Sequence, residues 1–150
     1  MENEKTIDVL NSLITINNDR IEGYKTALEE TEESDLKSLF GEFILTSEKC
    51  KRELVNEVDM LGAEHAEGTK VSGKFFRVWM DVKAALTNKD RKAILNSCEF
   101  GEEEANETYE NALNDNAELN AEHRVMIRTQ QQLLQADRNQ IKAMLAKLTN

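Results

Sequence analysis

The segment LKSLFGEFILTSEKCKRELVNEVDML, residues 36–61, decides the fold of this 150-residue chain. Apolar and small residues recur in it every three or four positions, which is the spacing of one buried face of a long helix. The positions on that face are Leu36, Phe40, Phe43, Ser47, Cys50, Leu54, Val58 and Leu61. Gly62 follows directly, and glycine is typical of the position just past a helix end.

Three further segments carry the same pattern, and no proline occurs anywhere in the chain to interrupt them. We predict a first helix from about Glu4 to Thr31, a third capped by Asn88 and ending near the polar turn 114–120, and a fourth over Ala121–Leu148. Ser34 is the predicted N-cap of the second helix. The predicted buried faces are Ile7, Leu10, Ile14, Asn17, Ile21, Tyr24 and Leu28; then Leu95, Cys98, Glu102, Ala105, Tyr109 and Ala112; then Ile127, Gln131, Leu134, Arg138, Ile141, Leu145 and Leu148.

The connections between these helices predict their directions. A short acidic turn makes the first two helices antiparallel neighbours, whereas 62–87 is long enough to cross the bundle and leave the second and third helices parallel. Three glycines interrupt this stretch before a run that predicts one short amphipathic helix: Phe75, Phe76, Val78, Trp79, Val82 and Leu86. We therefore predict an all-α fold: a single domain over 1–150, a ferritin-like four-helix bundle with one long crossover carrying a short helix between helices 2 and 3.

Composition excludes several classes of partner. The formal net charge of −10 and pI near 4.8 would repel nucleic-acid phosphates and anionic membranes. No run of 18 apolar residues is present and no signal-peptide pattern follows Met1, so a cytoplasmic protein is expected. Cys50 and Cys98 form no Cys-x-x-Cys motif, and we interpret them as buried thiols in a reducing compartment.

Ferritin-like metal proteins place glutamates and Glu-x-x-His motifs at mid-bundle, and this pattern can be checked directly. The two histidines, His65 and His123, are preceded three residues earlier by Gly62 and Asn120, so no Glu-x-x-His motif exists. Counting along the predicted helices places these four polar residues at mid-height instead: Asn17, Ser47, Glu102 and Gln131.

We interpret those four residues as a hydrogen-bonded polar layer in the core, with Arg138 as a possible neutralising partner of Glu102. Whether this layer binds anything stays open. The alternative is a metal or small-ligand site, for which Glu102, Cys50 and Cys98 are the weak candidate ligands. No catalytic residue and no cofactor are predicted, and an enzymatic role is not favoured.

Three blocks of sequence also resemble a known family. They are residues 17–24 (NNDRIEGY), then Gly73-Lys74 with residues 79–83 (WMDVK), then residues 90–95 (DRKAIL) with 98–102 (CEFGE). In order and spacing this set resembles a bacterial family of ferritin-like four-helix-bundle proteins of unknown function. The resemblance implies a small cytoplasmic bacterial bundle with no established reaction or cofactor. Members often carry a histidine near the place of Arg138, so that residue departs from the pattern.

Three hypotheses for function follow. The first is a non-catalytic bundle with an interaction, scaffold or stress-related role, which could self-associate through an apolar strip. The second is a metal- or ligand-binding bundle with a mid-bundle site around Glu102. The third is an acidic module that occupies the binding surface of a basic protein partner. Neither nucleic acid nor membrane is expected as a partner.

Overall fold

A computed structural model describes residues 4–67, 83–85, 87–114 and 119–148 of the chain. Within these ranges the protein forms four long helices: α1 (Glu4–Glu30), α2 (Ser34–Met60), α3 (Arg91–Asn114) and α4 (Ala121–Leu148). The prediction of an all-helical bundle is confirmed. The bounds of α4 agree with those predicted, and α1 ends one residue earlier than predicted.

The helices pack in a closed ring. Each of α1 and α4 packs against both α2 and α3, so α1 lies diagonally opposite α4, and α2 diagonally opposite α3. The turn 31–33 makes α1 and α2 antiparallel. At the start of α3, the Arg91 guanidinium lies 2.8 Å from Glu33 Oε1 and 3.2 Å from Asp35 Oδ1 at the start of α2. Because these two helices begin at the same end of the bundle, α2 and α3 are parallel, as predicted.

Two apolar clusters fill the two halves of the bundle. The half near the α1–α2 turn is lined by aromatic and aliphatic residues: Tyr24, Ala27, Leu36, Leu39, Phe40, Phe43, Ala85, Ile94, Leu95, Cys98 and Ile141. The other half contains Leu10, Leu13, Ile14, Ile16, Leu54, Val58, Ala105, Tyr109, Ala112, Leu119, Ile127 and Leu134. Apolar burial stabilises both ends, which leaves the middle of the bundle for polar groups.

The helix ends confirm one predicted cap and correct two. Gly62 has φ 77° and its N–H binds Asp59 O at 3.0 Å, while Ala63 N–H binds Val58 O at 3.2 Å, so α2 ends in a Schellman motif. Ser34 was predicted as an N-cap, but it is the first helical residue and Glu33 precedes it without a side-chain cap bond.

At α3 the cap is Asp90, not Asn88. The Asp90 carboxylate accepts a hydrogen bond from Ala93 N–H at 3.1 Å, as a capping side chain does. Asn88 lies in the turn before it. Both residue types cap helices well, so only the position of the first helical turn distinguishes them.

The connection after α2 starts along α1. The Asn11 side chain donates to Glu64 O at 3.2 Å and accepts from Ala66 N–H at 2.8 Å. Residues 83–85 are helical, but the rest of the predicted crossover helix, including Phe75, Phe76 and Trp79, lies outside the described residues. No helix in the described part of the chain is long and apolar enough to cross a membrane.

A buried polar centre as the candidate functional site

The Arg20 side chain lies at the middle of the bundle and contacts all three other helices. Its Nε and Nη2 donate to the two carboxylate oxygens of Glu102 on α3, at 2.9 and 3.1 Å. Nη2 also lies 3.3 Å from Asp137 Oδ2 on α4, and Nη1 donates to Ser47 Oγ on α2. Arg20 and Ser47 have no exposed surface, and Glu102 is 2% exposed. We call Arg20, Tyr24, Ser47, Glu102 and Asp137 the Arg20 cluster.

Tyr24 closes this cluster one turn further along α1. Its hydroxyl donates to Glu102 Oε1 at 2.7 Å, and the Arg20 Cζ lies 5.4 Å from the centre of its ring. The ring also packs against Phe40 and Phe43, with ring centres 5.6 and 5.1 Å apart. The apolar cluster therefore holds Tyr24 in place, and Tyr24 in turn orients the Glu102 carboxylate.

Burial and charge act in opposite directions in the Arg20 cluster. Burial alone would lower the pKa of Arg20, but the charge of Glu102 raises it above its ordinary value, so the guanidinium stays charged. Burial raises the pKa of Asp137 from 3.8 to about 6, although the Arg20 charge acts against this. Burial also raises the pKa of Tyr24 well above its usual value. Tyr24 is therefore a neutral hydrogen-bond donor.

A second, largely uncharged cluster lies next to the first. Asn17 Nδ2 donates to the Tyr109 hydroxyl at 2.8 Å, and that hydroxyl donates to Gln130 Oε1 at 2.7 Å. Gln130 Nε2 then donates to Cys50 O at 3.1 Å and to Glu53 Oε1 at 3.0 Å. We call Asn17, Cys50, Glu53, Tyr109 and Gln130 the Gln130 cluster. Its chain of hydrogen bonds links all four helices.

Helix α4 supplies polar residues to the core at a fixed interval. Its buried residues fall into two rows with a seven-residue period: His123, Gln130 and Asp137, and Ile127, Leu134 and Ile141. Each residue of the polar row has its own partner: His123 Nε2 lies 3.3 Å from Glu57 Oε2, Gln130 binds Tyr109, and Asp137 meets Arg20. Half of the buried positions of α4 are thus polar and paired.

With the site described, comparison with known proteins places the chain in a family. A family model described as Domain of unknown function (DUF2383) matches residues 5–115. The chain belongs to the DUF2383 family. The match covers α1, α2 and α3, and includes Arg20 and Glu102. No curated protein matches the chain at a significant level.

Two predictions for the polar layer of this DUF2383 protein were wrong: Gln131 as a member of the layer, and Arg138 as the neutralising partner of Glu102. Gln131 is partly buried and donates to Asn106 Oδ1 at 3.2 Å on α3, while its neighbour Gln130 enters the core. Arg138 does not neutralise Glu102. It pairs with Glu99 at 2.8 Å near the surface, and Asp137 takes the core position. The predicted face of α4 was displaced by one residue at these two heights.

Asn17, Ser47 and Glu102 are buried as predicted, but Arg20 was not predicted. It belongs to a second buried row on α1 with a seven-residue period, formed by Thr6, Leu13, Arg20 and Ala27. That row could have been found from Leu13 and Ala27 in the sequence. All six residues from Ile16 to Ile21 are buried, so α1 is enclosed on every side at this height.

The weak candidate ligands of the DUF2383 chain do not form one constellation. Glu102 is a member of the Arg20 cluster, and the Cys98 thiol lies near it. The Cys50 thiol lies near Arg20 and Asp137, and its backbone carbonyl belongs to the Gln130 cluster. Burial raises the pKa of Cys50 to about 11 and that of Cys98 further, so both are neutral thiols. Among the described residues, no group of three or more His, Cys, Asp and Glu side chains could hold a metal ion.

Proposed function

We propose that this DUF2383 protein is a non-catalytic ferritin-like bundle with an interaction or scaffold role. The observation that carries the proposal is the position of Arg20. In ferritin-like metal proteins, inward carboxylates and histidines hold metal ions in the bundle core. Here the inward carboxylates of Glu102 and Asp137 face a guanidinium that is part of the chain itself.

The charges of the Arg20 cluster support a role without a bound metal ion. A metal ion at the same place would have to displace a buried cation that Glu102 holds through two hydrogen bonds. The two positive charges would also repel each other at short range in a medium of low dielectric constant. The parallel arrangement of α2 and α3 supports the ferritin-like topology, because it requires one long crossover.

The outer surface supports a role in binding other proteins. Leu45 on α2 is 66% exposed and Phe100 on α3 is 62% exposed, and these two helices lie diagonally opposite each other. The net charge of −10 would favour a basic protein surface. The two buried thiols, which form no disulfide, support a cytoplasmic location, and the resemblance of the three sequence blocks supports a bacterial origin.

Metal content tests the non-catalytic part of this proposal. The untagged protein, purified without chelator, and a Glu102→Gln variant would be analysed by elemental mass spectrometry. We expect less than about 0.1 equivalent of iron, manganese or zinc in both. One equivalent or more in the wild type, lost in the variant, would overturn the proposal and favour the binding-site alternative.

Light scattering over a concentration series tests the interaction role in its simplest form, self-association. We expect the mass of the wild type to rise with concentration and the Phe100→Ser variant to stay at the monomer mass. Val125→Ser on α4, which removes another largely exposed apolar side chain, is the matched control. If neither the wild type nor a mixture with basic test proteins associates at any concentration, the interaction role is wrong.

A further inference from the structure

The Arg20 cluster contains one cation and two carboxylates. Glu102 occupies Nε and Nη2 of the guanidinium at 2.9 and 3.1 Å, so Asp137 reaches Nη2 only as a second, longer partner at 3.3 Å. If both carboxylates were ionised, the cluster would bury one uncompensated negative charge. A proton on Asp137 removes that charge without disturbing the Arg20–Glu102 pair.

Asp137 belongs to the helix with the fewest buried apolar residues among the four long helices. In α4 the apolar buried residues are Ile127, Leu134 and Ile141, and the remaining buried positions are polar. In α2, by contrast, six of the eight buried residues are Leu, Phe or Val. The polar row supplies half of the buried positions of α4, so a change in charge at Asp137 acts directly on the docking of this helix.

We propose that Asp137, with Arg20 and Glu102, forms a proton-linked contact that docks α4 more firmly when the pH falls below neutral. Protonated Asp137 stays beside Arg20 as a neutral side chain. Ionised Asp137 shares the Arg20 charge with Glu102 and has one further hydrogen bond, with Thr46, whereas on an undocked α4 its carboxylate is hydrated. The docked state therefore binds the proton more tightly than the open state.

Groups from all four helices lie near Asp137 or near its partners in the Arg20 cluster. From α1 these are Arg20, which stays charged, and Tyr24, whose pKa burial raises. From α2 they are Thr46, Ser47 and the Cys50 thiol, whose pKa is about 11. From α3 they are Glu102 and Cys98, the latter with a raised pKa. On α4 itself, His123 lies two heptads away against Glu57 and needs its own control.

Hydrogen–deuterium exchange of the full chain, read by mass spectrometry from pH 7.5 to 5, tests the proposal. Protection factors corrected for intrinsic exchange would be compared between α4 and α2 peptides. The pKa of Asp137 is about 6 when α4 is docked, against an ordinary value of 3.8. Relative to pH 7.5, the protection factor of α4 should therefore rise roughly fourfold by pH 5.5 and tenfold by pH 5. A smaller rise is expected in α2, because the effect acts through α4.

Two variants test whether Asp137 causes the pH dependence of protection in α4. Asp137→Asn keeps the shape of the side chain and should remove the pH dependence of α4, leaving it well protected throughout. His123→Gln should leave the dependence intact. The proposal is overturned if wild type and Asp137→Asn respond alike, if α2 responds as strongly as α4, or if carbon NMR shows the Asp137 carboxyl titrating near 4.

Discussion

Replacing Arg20 by methionine is the most direct test of the polar centre. Methionine keeps an unbranched apolar stem in the core and removes the guanidinium. The four hydrogen bonds that Arg20 makes to Ser47, Glu102 and Asp137 are then lost. Two buried carboxylates remain without a cation, which is a much larger penalty than the loss of the hydrogen bonds alone.

The expected magnitude follows from burial. An ion pair at about 4 Å is worth about 4 kcal/mol at an effective dielectric constant near 20, and part of this is offset because the guanidinium no longer has to be desolvated. Removal of one partner of a buried pair costs about 3–5 kcal/mol. Since domains of this size have a free energy of unfolding of about 5–15 kcal/mol, we expect Arg20→Met to lose a large part of it.

Urea denaturation at pH 7, followed by circular dichroism, measures this loss. Arg138→Met is the matched control: it removes a guanidinium from the partly exposed Glu99 pair, for which about 0.5–1 kcal/mol is expected. A triple variant with Arg20→Met, Glu102→Gln and Asp137→Asn should recover much of the loss, because no unpaired charge remains. A loss under 1 kcal/mol in Arg20→Met, or no recovery in the triple variant, would refute the reasoning.

Three further predictions concern the register of α4, the end of α2 and the thiols. Gln130→Ala should lower the free energy of unfolding by about 1–3 kcal/mol, because it removes the acceptor of the buried Tyr109 hydroxyl and the side-chain donor to the Cys50 carbonyl. Gln131→Ala should cost under about 0.5 kcal/mol in the same urea assay. Gly62→Ala should cost about 1 kcal/mol in thermal melts through its φ of 77° alone, since no atom lies within 4 Å of the added Cβ; a neutral result would show that the turn adapts. Cys50 and Cys98 should react with a thiol reagent at pH 8 only as fast as the bundle opens, so reaction within seconds in the native protein would contradict their burial.

Apolar periodicity was sufficient to predict the helices, and the lengths of the connections predicted their directions. All six predicted face residues of α3 are buried, and so are seven of the eight predicted for α2. In both helices the apolar residues leave one possible face. In α4 the polar residues make two faces nearly equal, because Gln130 and Gln131, or Asp137 and Arg138, can each continue the spacing of three and four. The predicted buried face of α4 was therefore wrong at the two positions where two neighbouring residues are equally polar.

The polar centre was predicted only in part, because hydrophobic periodicity does not identify a buried charge. Asn17, Ser47 and Glu102 lie on apolar faces and were recognised by their neighbours in sequence. Arg20 follows the polar residues Asn17, Asn18 and Asp19, and a sequence pattern treats a charged residue there as solvent-exposed. Its burial depends on Glu102 and Asp137, which are 82 and 117 residues away in the chain. Such a pairing becomes visible only when the helices are assembled.

The polar row of α4 also explains how this helix finds a single register. If α4 slid by one heptad so that Leu134, Ile141 and Leu148 took the places of Ile127, Leu134 and Ile141, the apolar row would lose little hydrophobic burial. The same shift would place the Asp137 carboxylate beside the Tyr109 hydroxyl, away from Arg20, and Met144 at the height of Arg20. Polar core residues are known to specify register in this way, at some cost in stability.

We therefore expect a double variant with Gln130→Leu and Asp137→Leu to retain its helical content and to lose its unique structure. Amide NMR spectra should show multiple or broadened signals for α4, while a variant carrying Leu134→Met, which changes the apolar row alone, should keep one sharp set. If the double variant gives one sharp set of signals, the apolar row and the helix ends are sufficient to fix the register, and the polar row serves another purpose.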